Sequence, residues 1–281
     1  MNRDLLQRTA LIYDFDGTLA PGNLQEHGFI SALGMSNEAF WHEANSRARV
    51  EDADQILAYL RLMLEKSTER GIPITRQALR AHGATADLFP GLRDRSWFLR
   101  MNAHAASCGL ALEHYIISSG VEEMIRGCAI VDQFHDVFAS KFIYNEQDEA
   151  IWPGVAINYT TKTQYLFRIN RGIDNHWDSA AMNRYMAKQE RPIPFSRIIF
   201  IGDGDTDVPA MKMVTYKGGC AIAVYDPRTS LEHLDKIHRL IADRRVDFVA
   251  PADYSRNGQL DIIVKGILSR IARDAESAGG G

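Results

Sequence analysis

Cysteine is scarce in this chain of 281 residues, with only Cys108, Cys128 and Cys220. Their number is odd, none forms a Cys-x-x-Cys pair and each has apolar neighbours, which speaks against a disulfide framework or a thiolate zinc site. Buried thiols are expected instead. Long apolar runs are also missing, and none approaches the ~20 residues needed to span a bilayer. Met1-Asn2-Arg3-Asp4 leads towards an apolar strand and lacks a signal-peptide pattern, so the expected compartment is the cytoplasm. Nor is there an excess of one charge: 32 basic against 36 acidic side chains give a net −4. Such a balance offers no global attraction to nucleic acid or to an anionic membrane, and neither is expected as a partner. The nine histidines are scattered, with no two at a metal-ligand spacing on one helix. Hydrophobic residues make up 46% of the chain, enough to bury the core of one large domain and a smaller one.

Two short acidic phrases stand out. Asp14-Phe15-Asp16-Gly17-Thr18-Leu19 follows the apolar run Ala10-Leu11-Ile12-Tyr13, and Gly202-Asp203-Gly204-Asp205-Thr206-Asp207 follows Ile198-Ile199-Phe200-Ile201. Both read as carboxylates at the tips of buried strands, where α/β proteins place ligand chemistry. Clustered carboxylates repel one another, and a hard cation such as Mg²⁺ among their oxygens removes that repulsion. With phosphoryl charge masked in this way, Asp14 could attack phosphorus and form an aspartyl-phosphate. Asp16, two residues on, could pass a proton to the leaving oxygen and later take one from water. Gly17, directly after Asp16, would let the backbone turn sharply.

The first phrase resembles the opening motif of the haloacid dehalogenase superfamily in its phosphatase form. The resemblance implies that Asp14 is nucleophile and metal ligand, and that Asp16 is the general acid/base that also gives its backbone carbonyl to Mg²⁺. Tyr115-Ile116-Ile117 followed by Ser118-Ser119-Gly120 resembles the second motif, whose first hydroxyl and following amides hold phosphoryl oxygens. A single lysine forms the third; Lys162 is the choice and Lys141 the alternative. The distance from Lys162 to Asp203 implies an inserted helix and loop around Asp174 to Arg191. The fourth motif matches with Asp203 as metal ligand and Asp207 as its acidic partner, leaving Asp205 a solvated loop residue.

Alternating patterns predict the remaining architecture. Strands are expected at Phe134–Phe138, Ala156–Tyr159, Ile198–Ile201, Ala221–Val224 and Asp247–Val249, with helices around Trp97 to Cys108 and onward from Ser230 and Gly258. Residues Gly22 to Ala86 read as helices, ended by Phe89-Pro90-Gly91. The expected fold is therefore α/β: a Rossmann-like parallel-sheet core with helices on both faces, formed by 1–20 and 88–281, plus a small all-helical cap at 21–87. The resemblance implies that this cap is mobile, closes over the site and selects the substrate, as in the phosphoserine phosphatase branch, with Glu26, Arg47 and Arg49 as candidate specificity residues. Trp152, Tyr159, Tyr165 and Phe167 are expected in the core, in a pocket or at an interface, and Ala278 to Gly281 as a frayed tail.

These features lead to the expectation of a Mg²⁺-dependent phosphomonoester hydrolase acting on a small phosphorylated metabolite. A phosphotransferase or mutase would share the aspartyl-phosphate, and the motifs do not separate the two. A non-catalytic phospho-ligand sensor is the other class, but it would have no chemical use for the second aspartate.

Overall fold

A computed structural model describes residues 6–204, 206–228 and 231–279. Asp205, Ser230 and the last two glycines lie outside them. β1 (Gln7–Tyr13) is followed by a helical insertion comprising α1 (Phe29–Ala32), α2 (Asn37–Val50), α3 (Gln55–Arg70) and α4 (Arg76–Ala84). The chain then forms α5 (Ser96–Ser107), β2 (Leu110–Val121), α6 (Glu122–Gly127), β3 (Asp136–Tyr144) and β4 (Ala150–Val155). α7 (Lys162–Arg171), α8 (Ser179–Asn183), β5 (Ile198–Gly202), α9 (Val208–Tyr216), β6 (Cys220–Tyr225), α10 (Leu231–Ala242), β7 (Phe248–Pro251) and α11 (Gln259–Gly279) complete it.

The seven strands form one sheet in the order β4-β3-β2-β1-β5-β6-β7. Every pairing is parallel except β3 with β4. Successive residues of the central strands alternate between two apolar clusters: Leu11, Tyr13, Ile199 and Ile201 in one, Ala10, Ile12, Ile198 and Phe200 in the other. Both faces are thus buried, as a parallel sheet requires. Trp97 of α5 and Leu260 of α11 pack in the first cluster, Tyr165 of α7 and Met211 of α9 in the second. The chain runs outward from β1 through β2 and β3 to β4 and then crosses back to β5 on the other side of β1, and this reversal of strand order opens a crevice at the carboxyl ends of β1 and β5. Tyr13 lies in register with Ile201, which places the two acidic loops side by side.

The insertion is helical, as its patterning predicts. Asp54 caps α3 by accepting from the amides of Ile56 and Leu57, and Gly71 ends the helix at φ 65°. Its apolar side chains Leu24, Phe40, Leu60 and Leu79 belong to the same buried cluster as Phe98 and Ile116 of the sheet layer. α4 meets α6 almost backbone to backbone: a Cβ on Gly83 would lie 1.8 Å from the Met124 carbonyl oxygen, and one on Gly127 2.0 Å from that of Arg80.

One strand assignment fails. Ala156–Tyr159 is loop, and the strand before it is β4, hairpinned antiparallel onto β3. β4 contains Pro153 and Gly154, which it tolerates as an edge strand, where proline's missing N–H leaves no ladder bond unmade. Residues 156–161 are held as a loop by side chains, with the Asn158 carboxamide accepting from the amides of Thr160 and Thr161 at 3.1 and 2.9 Å. At the other end, α11 continues through Ala278 to Gly279 where fraying was expected. Cys128 and Cys220 are buried and Cys108 partly so, all three as free thiols. Tyr165 is core, while Trp152 is exposed. No helix among the described residues is long and apolar enough to cross a membrane.

Candidate active site

Asp14 leaves β1 with its amide bonded to the Ile201 carbonyl at 2.9 Å, which ties it to the neighbouring strand. One carboxylate oxygen accepts from the Phe15 amide at 2.6 Å and the other from Lys162 Nζ at 2.7 Å. Lys162 opens α7 and is fully buried. Its ammonium also donates to Asp207 Oδ1 at 2.7 Å and to Thr206 Oγ1 at 3.2 Å. Burial alone would lower the Lys162 pKa, but the charges of Asp14 and Asp207 outweigh it and raise the pKa, so the ammonium stays protonated. The alternative lysine, Lys141, lies 3.5 Å from Glu122 instead.

Asp16 accepts from the Leu24 amide at 3.0 Å. Burial, then repulsion from Asp14, lift its pKa to about 7. Gly17 turns at φ 71°, and any Cβ there would come within 2.6 Å of Asp203 Oδ2, so only glycine lets the two loops approach this closely. Gly202 is under the same constraint, since its Cβ would meet Asp207 Oδ2 at 2.0 Å.

β2 and β3 change register between Ile117 and Val121, which pushes Ser118-Ser119-Gly120 out of the ladder. Such a bulge re-aims side chains and frees amides at a strand tip. Ser118 is buried and accepts from the Gly120 amide at 3.0 Å, while a Cβ on Gly120 would stand 2.9 Å from Asp16 Oδ2. The Ser119 carbonyl accepts from Tyr59 of α3 at 2.7 Å and from Ser140 at 3.1 Å.

Ligand oxygens of Asp14, Asp203 and Asp207 lie within 4.8 Å of one another. An all-carboxylate set in a buried crevice suits a hard, oxygen-seeking cation of the Mg²⁺ type. Burial, together with the Asp14 charge, raises the Asp207 pKa, and a cation would offset that repulsion. The Asp16 carboxylate is outside this group.

These groups open on a cavity of about 500 Å³ lined by Asp14, Asp16, Ser118, Ser119, Gly120 and Asp203 on one side and by Gln25, Trp41, Asn45, Gln55 and Tyr59 of the insertion on the other. Tyr159 lines it too. Glu26, Arg47 and Arg49 do not line it. Glu26 accepts from Trp41 Nε1 at 2.7 Å and from Asn23 at 2.8 Å, orienting the indole. Arg47 pairs with Glu43 and Glu65 on the outside of the helices, and Arg49 is exposed. The cavity face of α2 is instead Trp41, Ala44 and Asn45, spaced i, i+3, i+4. Sequence reading also missed Thr206, whose position between two motif aspartates was a usable signal. Tyr59 was hidden in an apolar helical run and left none.

The haloacid dehalogenase-like hydrolase family matches residues 11–212. The chain is 30% identical over 229 residues to an uncharacterized protein of Borreliella burgdorferi, covering 73% of this chain and 78% of that one. In three dimensions it is similar to a HAD family hydrolase from Salmonella enterica serovar Typhi, with a TM-score of 0.56, 17% identity and coverage of 94% and 72%. A probable phosphoserine phosphatase from Vibrio cholerae is also similar, with a TM-score of 0.57, 14% identity and coverage of 97% and 69%. At these identities the solved structures establish a shared fold. The family match spans every motif from β1 to α9, and the chain belongs to the haloacid dehalogenase-like hydrolases.

Proposed function

We propose that this protein is a phosphomonoester hydrolase that works through an aspartyl-phosphate on a small phosphorylated metabolite, with Mg²⁺ as cofactor. The observation that carries this reading is the buried Lys162 ammonium bonded at 2.7 Å to both Asp14 and Asp207, beneath a cavity that Asp14, Asp16 and Ser118 line. A cation held by the carboxylates of Asp14 and Asp203 with the Asp16 carbonyl supplies charge neutralisation to the phosphoryl oxygens when bound.

The chain's own groups perform the transfer. The Ser118 hydroxyl and the amides of Ser119 and Gly120 orient the phosphoryl oxygens, and Lys162 holds Asp14 in place while adding positive charge. An Asp14 carboxylate oxygen attacks phosphorus as the bond to the alcohol oxygen breaks. Asp16, carrying a proton because its pKa is lifted to about 7, gives it to that leaving oxygen. The carboxylate so formed then takes a proton from water as the water oxygen attacks phosphorus, freeing phosphate and restoring Asp14. Helices α1 to α4 act as the cap that keeps bulk water from the acyl-phosphate.

Asp14→Asn provides the test. It preserves shape while removing the nucleophile, and phosphate release in the presence of Mg²⁺ is expected to fall by at least ~10³-fold. A folded variant that keeps its rate would refute the proposal.

A further inference from the structure

Gln25 occupies an unusual position. It lies in the short 3₁₀ turn Leu24–Glu26, directly after the residue whose amide holds the Asp16 carboxylate. It is only 1% exposed and lines the cavity, yet its carboxamide oxygen has no hydrogen-bond partner. The orientation of the amide is fixed chemically. Tyr59 gives its proton to the Ser119 carbonyl, so the phenol oxygen can only accept from the Gln25 amide beside it, and the NH₂ end must face Tyr59. The oxygen end is therefore the free one. A buried acceptor without a donor is destabilising, and the deficit is removed when a donor arrives. Apart from the motif aspartates and Asp226, the lining is uncharged, with the amides of Asn45 and Gln55 and the rings of Trp41 and Tyr159, and it contains no lysine or arginine that would pair with an acidic alcohol.

We infer that Gln25 is the specificity-determining residue for the alcohol half of the substrate, accepting a hydrogen bond from its hydroxyl group, and that the substrates are phosphate monoesters of uncharged, hydroxyl-bearing alcohols. This rests on the phosphohydrolase reading above, since it places the alcohol beside Asp16, its proton donor. An ester without a hydroxyl leaves the Gln25 oxygen buried and unpaired, so discrimination arises at the site.

The experiment compares glycerol 3-phosphate with n-propyl phosphate, which lacks both hydroxyls, in the wild-type protein, Gln25→Met and Gln25→Glu. The wild type is expected to favour glycerol 3-phosphate by about tenfold or more in kcat/KM. Q25M, of similar volume but without an acceptor, brings the ratio to within about threefold, mainly by improving the propyl ester. Q25E, which keeps an acceptor oxygen, retains the preference. Equal use of both esters by the wild type, or a preference that survives in Q25M, overturns the inference and leaves the hydrolase reading standing. The same esters titrated into Asp14→Asn give the affinity ratio without turnover. Tighter binding of glycerol 3-phosphate there supports the reading of the hydroxyl by Gln25 independently of turnover, and equal binding of the two esters overturns it. If Q25M does not fold, the wild-type ratio and Q25E still decide the matter.

Discussion

Replacing Lys162 with methionine tests the electrostatic centre of the site. The ammonium is fully buried between two carboxylates, each 2.7 Å away. With an effective dielectric constant of ~20, each contact is worth about 6 kcal/mol of attraction. Several kcal/mol of that offset the desolvation of the lysine itself. Removing it leaves Asp14 and Asp207 buried without their counter-charge, a loss of about 3–5 kcal/mol. For a chain of this size we expect a melting temperature lower by about 10 °C in chelator at pH 8. The deficit should depend on pH in a definite direction. Without Lys162 the carboxylates bind protons more readily in the folded than in the unfolded state, so acidification relieves the repulsion and the deficit shrinks between pH 8 and pH 5. Millimolar Mg²⁺ at pH 8 should restore part of it, by binding the folded form alone. Urea unfolding of both proteins across this pH range measures the effect. A deficit below about 1 kcal/mol at pH 8, or one that grows on acidification, would refute the argument.

Two further outcomes concern the scaffold. His114 is buried, accepts from the Tyr13 hydroxyl at 3.0 Å and donates to Asn102 at 3.0 Å, and burial holds its pKa down to about 3. It must therefore be neutral when folded, while the unfolded chain takes up a proton below about pH 6.5. His114 alone should take away about 1.4 kcal/mol of stability per pH unit below that point, and His114→Gln should remove this share of the pH dependence in urea unfolding between pH 6.5 and 5. Gly83→Ala would press a methyl against the Met124 backbone at 1.8 Å. It should cost about 1–3 kcal/mol, read as a lower unfolding midpoint, and a variant as stable as the wild type would show that α4 and α6 can separate freely.

What was legible in the sequence follows the range of the physics involved. β1, β5 and the order of the motifs could be read because unbroken apolar runs ending in Asp-rich turns combine burial and function in six or seven adjacent residues. Lys162 was recognisable only through the resemblance; its burial between Asp14 and Asp207 depends on residues 148 and 45 positions away. β4 was missed because its proline is harmless only at a sheet edge, and edge position is a property of the whole sheet. The cap residues were misjudged for a related reason. Charge suggested Arg47 and Arg49, yet the helix pair α2–α3 satisfies Arg47 with its own glutamates, and the face turned to the cavity carries Trp41 and Asn45.

The contacts of the insertion connect substrate enclosure with catalysis. Tyr59 of α3 donates to the Ser119 carbonyl, in the Ser118–Gly120 bulge. At the start of the same helix, Asp54 accepts from Asn158 at 2.6 Å and Gln55 from Tyr159 at 2.8 Å. Asn158 and Tyr159 belong to the loop that launches α7 and hence places Lys162. A single helix therefore braces two of the segments that line the cavity, the Ser118–Gly120 bulge and the loop before α7, while the turn after β1 fixes Asp16 through Leu24. Displacing α3 would remove three hydrogen bonds and loosen the Ser118–Gly120 bulge and the base of α7 together. On the proposed function, the contacts that close the cavity are also those that hold Asp16, Ser118 and Lys162 in register, so an open insertion would leave the site both wet and misaligned.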